Sequence, residues 1–214
     1  MARGWFITFE GGEGVGKSTQ ISRLAARLSG SGRTVLTTRE PGGSPGAEAI
    51  REMLVNGAAD RWSPQVEALL MNAARRDHIE RTIRPALARG DIVLCDRFAD
   101  STRVYQGAAG GVSSEVLSIL EELVIEECRP GLTFVLDLPA EEGLARARSR
   151  QAGEGRFEAK GLAFHQKLRE AFVGLAAQEP ERCAVIDAKG AVEEVAARIW
   201  TVLAKRAPEL ILGP

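Results

Sequence analysis

The chain has 214 residues, enough for one substantial hydrophobic core, so we expect a single domain spanning residues 1–214. Its 28 basic and 29 acidic residues nearly cancel, and it has no run of about 18 apolar residues. Neither nucleic acid nor a membrane is therefore an expected partner. The three cysteines are an odd number and widely spaced, which favours reduced thiols in a cytoplasmic protein.

Short apolar runs, which predict strands, alternate along the chain with longer amphipathic stretches, which predict helices. The predicted strands are residues 5–9, 34–37, 92–95, 133–136 and 183–186. The predicted helices are residues 16–28, 63–89, 114–127, 139–150, 157–178 and 190–206. Because strands that alternate with helices usually pair in parallel, we expect an α/β fold with five buried parallel strands between layers of helices. Pro85 lacks an amide donor and is expected to kink or break the 63–89 helix.

A glycine-rich loop joins the first predicted strand to the first predicted helix. Its residues are Gly11, Gly12, Glu13, Gly14, Val15, Gly16, Lys17, Ser18 and Thr19. Closely spaced glycines let backbone amides point at phosphate oxygens, and the following helix adds the positive end of its dipole. We expect Lys17 to reach the β and γ phosphates of a nucleotide and Ser18 to help bind Mg²⁺. The alternative is a structural glycine turn with an incidental lysine.

Asp96 and Arg97 come directly after the third predicted strand, at the edge of the sheet where the glycine loop also lies. Asp96 could hold Mg²⁺ through water, and Arg97 could bridge two phosphate groups. A simple ion pair between them is the alternative interpretation.

A small phosphotransferase is the class of P-loop protein that fits best, because the chain lacks the Asn-Lys-x-Asp motif of a GTPase. Phosphoryl transfer requires cations around two anionic substrates. The chain supplies arginines for this purpose at Arg39, Arg51, Arg75, Arg97, Arg146, Arg148, Arg150 and Arg156. A catalytically idle ATP-binding module remains a further alternative.

Five sequence blocks, in order and spacing, resemble those of bacterial thymidylate kinase. They are Phe9–Thr19, Thr38–Gly43, Ala73–Arg75, Asp96–Ser101 and Tyr105–Gly107. The resemblance implies a P-loop nucleoside monophosphate kinase fold, a small lid, and a homodimer. It also implies that the chain phosphorylates dTMP with MgATP to give dTDP and ADP. A P-loop kinase for another nucleotide or nucleoside is the nearest alternative.

The resemblance also implies which residues bind dTMP. They are Glu40, Pro41, Arg51, Met71, Arg75, Arg97, Ser101, Thr102, Tyr105 and Gln106. Arg75 would read thymine O4, and Met71, one helical turn away, stands where family members commonly place a phenylalanine on the base. Core packing is the alternative for Met71. Thr102 and Gln106 would face the base from an irregular loop entering a helix, unless they lie on an ordinary surface helix.

The remaining roles follow from the same resemblance. Glu13 would turn toward the deoxyribose, although a solvated carboxylate at the tip of the loop is possible. Gly14 stands where other members carry an arginine, so the lid, about residues 146–157, would supply the catalytic cation. We expect Arg150 at the transferred phosphoryl group and Arg146 on adenine, with Arg156 as the substitute for Arg150. An amphipathic surface helix with a basic end is the alternative. The predicted catalytic residues are Lys17, Arg97, Arg150 and Glu13.

Overall fold

The computed structural model describes residues 4–58, 60–149 and 160–211. Its five strands are β1 (Trp5–Glu10), β2 (Val35–Arg39), β3 (Ile92–Asp96), β4 (Leu132–Asp137) and β5 (Cys183–Asp187). They form one parallel sheet in the order β2-β3-β1-β4-β5. The predicted five-stranded parallel sheet is therefore confirmed. Because the strand order reverses around β1, the crevice for ligands opens where β1 ends.

Helices cover both faces of this sheet. The described helices are α1 (Lys17–Gly30), α2 (Pro45–Val55), α3 (Pro64–His78), α4 (Arg84–Ala88), α5 (Ala99–Thr102), α6 (Ser114–Ile125), α7 (Ala140–Ser149), α8 (Leu162–Gln178) and α9 (Val192–Arg206). The bounds of α1, α6, α7 and α9 agree with the predicted helices to within a few residues, the predicted 63–89 helix contains α3 and α4, and α2 and α5 have no counterpart among the predicted ranges. The predicted start of the 157–178 helix lies outside the described residues.

The core forms on both sides of β1 because successive strand residues face opposite ways. Ile7 and Phe9 face a cluster with residues of α1 and α9, whereas Phe6 packs with Ile79 and Val124 on the other face. The central strands β1, β3 and β4 are buried almost throughout. The edge strands β2 and β5 are only partly buried, so the prediction of five buried strands was wrong at the edges.

The helix that contains Pro85 neither breaks nor ends there. Ile79–Ile83 form a π-helical turn between α3 and α4, and the Arg84 amide donates to the Ile79 carbonyl five residues earlier. A wider turn shifts the hydrogen-bond register, so the missing amide of Pro85 interrupts no regular ladder. The predicted break was therefore wrong, and a π turn lies directly before α4, the helix that contains Pro85.

A second π-helical turn, Arg103–Ala108, continues directly from α5. The Ala109 amide donates to the Val104 carbonyl, which closes this turn. The predicted irregular loop before a helix was therefore wrong, because the chain is already helical from Ala99.

The cysteines Cys95, Cys128 and Cys183 are buried and form no disulfide, in agreement with the prediction of reduced thiols. Burial raises the pKa of Cys183 to about 11. None of the described helices has both the length and the apolar character needed to cross a bilayer.

Candidate active site

The glycine-rich loop closes around the side chain that follows it. Lys17 Nζ donates to the carbonyls of Gly12, at 2.9 Å, and Gly11, at 3.3 Å. Gly16 caps α1 with a φ of 97°, a backbone conformation that residues with a side chain rarely adopt. Burial, and then the Arg97 guanidinium, lower the pKa of Lys17. The ammonium group therefore lies inside the loop, where an incoming phosphate would attract it.

The loop also touches α7 without any intervening side chain. A Cβ on Gly14 would overlap the carbonyl of Gly143, and one on Gly143 would overlap the carbonyl of Glu13. Gly14 has a φ of 67°, so a side chain there would be strained as well. This contact leaves no room for the arginine that other family members are expected to carry at Gly14.

The two predicted metal-binding residues lie together. Ser18 Oγ donates to Asp96 Oδ2 at 2.7 Å. Hydroxyl and carboxylate oxygens are ligands that Mg²⁺ accepts. No group of three or more His, Cys, Asp or Glu side chains suited to a metal occurs among the described residues. An ion here would thus take further ligands from the nucleotide and water, as Mg²⁺ usually does.

Arg97 lies between the glycine loop and the neighbouring cavity. Its backbone has a φ of 69°, which is uncommon for a residue with a side chain. Its amide donates to the Phe9 carbonyl at 3.0 Å. The guanidinium donates to the Gly11 carbonyl at 2.9 Å, to Ser101 Oγ at 3.3 Å and to Glu13 Oε1 at 2.8 Å. A strained backbone held by several hydrogen bonds is typical of functional positions.

Glu13 turns away from the phosphate side of its loop. Its Oε1 accepts from Arg97 and from the Tyr105 hydroxyl at 2.7 Å. Burial by itself raises the pKa of Glu13, but Arg97, Lys17 and Tyr105 together lower it to about 2. The carboxylate is thus ionised and held by Arg97 and Tyr105, rather than solvated at the tip of the loop.

Arg97 and Glu13 border a cavity, which we call the Arg75 cavity. It is lined by Glu13, Glu40, Pro41, Val55, Met71, Arg75, Arg97, Phe98, Ser101, Thr102, Tyr105 and Gln106. Nine of the ten residues predicted to bind dTMP are on its wall. Val55 and Phe98 were missed, because an apolar residue looks like ordinary core in a sequence.

Arg75 is buried and held by four hydrogen bonds. Nε donates to Glu40 at 2.8 Å and Nη1 donates to Asn72 at 3.1 Å. Nη2 donates to the Phe98 carbonyl at 3.2 Å and to Thr102 Oγ1 at 3.0 Å. These contacts occupy four of the five guanidinium N–H groups and leave one on Nη1 for a ligand.

Several predicted residues lie elsewhere or play two parts. Arg51 was predicted to bind dTMP, but it does not line the Arg75 cavity. Its guanidinium donates to the Pro41 carbonyl at 2.6 Å. Met71 both lines the cavity and packs against the core around Tyr105. A place beside the base and a place in the core are therefore compatible for this residue. Arg146, near the end of α7, lines neither the Arg75 cavity nor the cavity between the glycine loop and α8. Arg150 and Arg156 lie outside the described residues.

Glu10, the last residue of β1, is a functional candidate that the sequence reasoning missed. It is fully buried and accepts from the Phe98 amide at 2.7 Å and from Ser101 Oγ at 2.6 Å. Burial, and then the Asp100 charge, raise its pKa to about 7. Ser101 also accepts from Arg97, so Glu10 supports the turn that aims Arg97. A carboxylate ending an otherwise apolar strand was the available signal.

His78 was also missed. Its Nδ1 is 3.0 Å from Glu40 Oε1, and its Nε2 is 2.7 Å from Thr38 Oγ1. Glu40 therefore binds His78 with one oxygen and Arg75 with the other. His78 lies almost one helical turn beyond Arg75, a spacing that could have suggested a shared partner.

The thymidylate kinase family model matches residues 9–199. The thymidylate kinase of Caulobacter vibrioides is 63% identical over 206 residues, covering 96% of this chain and 99% of the relative. That of Rhodopseudomonas palustris is 56% identical over 207 residues, covering 95% of this chain and 90% of the relative. The crystal structure of thymidylate kinase from Ehrlichia chaffeensis aligns with a TM-score of 0.75 at 33% identity, covering 94% and 99% of the two chains.

The raised pKa of Glu10 predicts a pH effect on stability. Between about pH 4.5 and about pH 7, the folded chain keeps a proton that the unfolded chain releases. The free energy of unfolding contributed by Glu10 therefore falls as pH rises through this interval. As pH rises through this interval, the free energy of unfolding of Glu10→Gln should increase by up to about 3 kcal/mol relative to that of the original chain. Urea unfolding of both proteins measures this, and a difference that does not vary with pH would contradict the prediction.

Proposed function

The chain belongs to the thymidylate kinase family and so transfers a phosphoryl group from ATP to dTMP. From this we propose which role each residue of the site has in the reaction. The observation that carries the proposal is the contact between the glycine loop and the Arg75 cavity. The two sites meet at Arg97 and Glu13. A phosphate in the loop and a nucleotide in the cavity would therefore face each other across one arginine.

The glycine loop, residues 11–19, holds the phosphates of ATP. Its amides and the start of α1 supply partial positive charge, and Lys17 exchanges its carbonyl contacts for the β and γ phosphates. Arg146 stacks on adenine.

Mg²⁺ accompanies ATP, and the adjacent oxygens of Ser18 and Asp96 fit it. When bound, the ion neutralises charge on the β and γ phosphates. Ser18, through its hydroxyl oxygen, and Asp96 would hold the ion.

The Arg75 cavity holds dTMP. Arg75 and Gln106 face the base, Met71 covers it, and Tyr105 lies against the sugar with Glu13. Arg51 and Arg97 would bind the phosphate of dTMP, with Arg51 moving from the Pro41 carbonyl.

Catalysis then consists of positioning and charge stabilisation. Arg97 reaches both phosphates because its guanidinium already spans the loop and the cavity. No covalent intermediate with the protein is needed, since the dTMP phosphate attacks the γ-phosphoryl group in line. Closing a lid of residues 146–157 over a single domain would exclude water as a competing acceptor.

The lid supplies the positive charge that an arginine provides in family members that carry one at the position of Gly14. The close contact of Gly14 with Gly143 excludes an arginine in the loop. We assign the role to Arg150.

A homodimer is supported by an apolar face on two adjacent helices, α3 and α6. Its exposed residues are Val66, Leu69, Val116, Ile119 and Leu123. Ile119 and Leu123 are 65% and 70% exposed, which is unusual for large apolar side chains in a cluster. A two-fold axis would pair this face with its copy.

A cytoplasmic location is supported by the three cysteines, which are buried and form no disulfide, as is usual in proteins of a reducing compartment.

A panel of nucleoside monophosphates tests the function. We expect ADP release from ATP to depend on dTMP and to be fastest with it. Faster release with another nucleotide would favour a different kinase. ATP binding without acceptor-dependent ADP release would instead favour a regulatory module.

Replacing the lid arginines tests the assignment of the catalytic cation. Arg150→Ala should lower kcat by about 100-fold, because it removes charge stabilisation from the transition state, and should barely change KM for dTMP. Arg156→Ala is the matched control, and its kcat should fall much less. A larger loss in Arg156→Ala would exchange the two roles, and unchanged turnover in both would refute a lid cation.

A charge within the apolar face tests the dimer. Ile119→Glu should shift the protein from dimer to monomer in sedimentation velocity, since it would bury an unpaired carboxylate. Val192→Glu changes a partly exposed apolar residue on α9 and should leave the dimer intact. A monomeric original chain, or a dimeric Ile119→Glu, contradicts the proposal.

A further inference from the structure

Glu67 lies on α3 in line with two residues of the Arg75 cavity. Glu67, Met71 and Arg75 follow each other at intervals of four residues and so share one face of the helix. Glu67 is only 4% exposed and is not itself on the cavity wall. It can therefore act on a ligand only through a neighbouring side chain.

That neighbour is Gln106. Its side chain is buried, and its Nε2 donates to Glu67 Oε2 at 2.9 Å. A carboxylate can only accept hydrogen bonds, so the amide nitrogen of Gln106 must face Glu67. The oxygen and the nitrogen of a side-chain amide lie in one plane and point in different directions. With one N–H of its amide held by Glu67, Gln106 can turn its Oε1 oxygen toward the cavity that it lines.

Arg75 presents the opposite character at the same cavity. Its guanidinium can only donate, and four hydrogen bonds hold it in place. The cavity therefore offers one fixed donor and one fixed acceptor. This pattern is complementary to a pyrimidine with a carbonyl at position 4 and an N–H at position 3. Cytosine has an amino group and a bare nitrogen there, and mismatches both.

We propose that Glu67 is a positioning residue for base selection, which fixes the Gln106 amide as a hydrogen-bond acceptor for N3–H of a 4-oxopyrimidine. The proposal rests on the binding of dTMP in the Arg75 cavity. Without Glu67, the Gln106 amide can rotate and offer its nitrogen to N3 of cytosine. Glu67 thus raises discrimination between the two bases without touching either.

The test is Glu67→Gln, a change that keeps the size of the side chain. We expect the ratio of kcat/KM for dTMP to that for dCMP to fall about tenfold, the worth of one hydrogen bond to a buried group. The ratio for dTMP to dUMP should stay the same, because these bases differ only at the methyl group. KM for ATP should also stay the same.

Glu121→Gln is the matched control, since Glu121 is a buried carboxylate on α6 that binds Arg103 and Arg129 away from the cavity. It should leave both substrate ratios unchanged. If Glu67→Gln lowers the dTMP to dUMP ratio as much as the dTMP to dCMP ratio, the effect is general damage and the proposal is overturned. An unchanged dTMP to dCMP ratio also overturns it.

An exchange of the two side chains completes the test. The double variant Glu67→Gln, Gln106→Glu places a carboxylate next to the base and an amide behind it, which restores a fixed acceptor. We expect discrimination against dCMP to return to at least that of the original chain, and a double variant as unselective as Glu67→Gln would overturn the proposal. If the original chain itself does not use dTMP, the function is refuted rather than the role of Glu67.

Discussion

The placement of Arg97 is the constraint on which the rest of the site depends. Its left-handed backbone sends the guanidinium back across the end of β1, where the Gly11 carbonyl, Ser101 and Glu13 hold it. One side chain thereby belongs to both the glycine loop and the Arg75 cavity. An arginine suits this position because it remains charged in a buried site and donates in several directions at once.

Burying so many charges has a cost, and the structure offsets it by pairing them. The Arg97–Glu13 and Arg75–Glu40 pairs are both largely removed from solvent, with side-chain exposures of 14% and 17% in the first and 3% and 4% in the second. Such pairs stabilise a fold weakly, since desolvation cancels much of their attraction. What they provide here is orientation, because a group already held by hydrogen bonds needs no rearrangement when a charged substrate arrives.

Behind these pairs stand residues that never reach the cavity. Glu10 holds the turn around Arg97, His78 holds Glu40, and Glu67 holds Gln106. Each binds a cavity residue on the side away from the ligand and so removes one of its possible orientations. The chemical character of the cavity, with a donor at one point and an acceptor at another, depends on them.

By itself the sequence predicted the parallel sheet and the glycine loop, and the resemblance of its motifs to thymidylate kinase implied most residues of the Arg75 cavity wall. These depend on local spacing: apolar runs, glycines, and motifs that follow strand ends. Only the tertiary structure decided the partners of Glu10 and Glu67, and the contact that excludes a side chain at Gly14. Each of these joins segments that are distant in the chain. No local pattern records such contacts, because the packing of the sheet and helices alone brings the segments together.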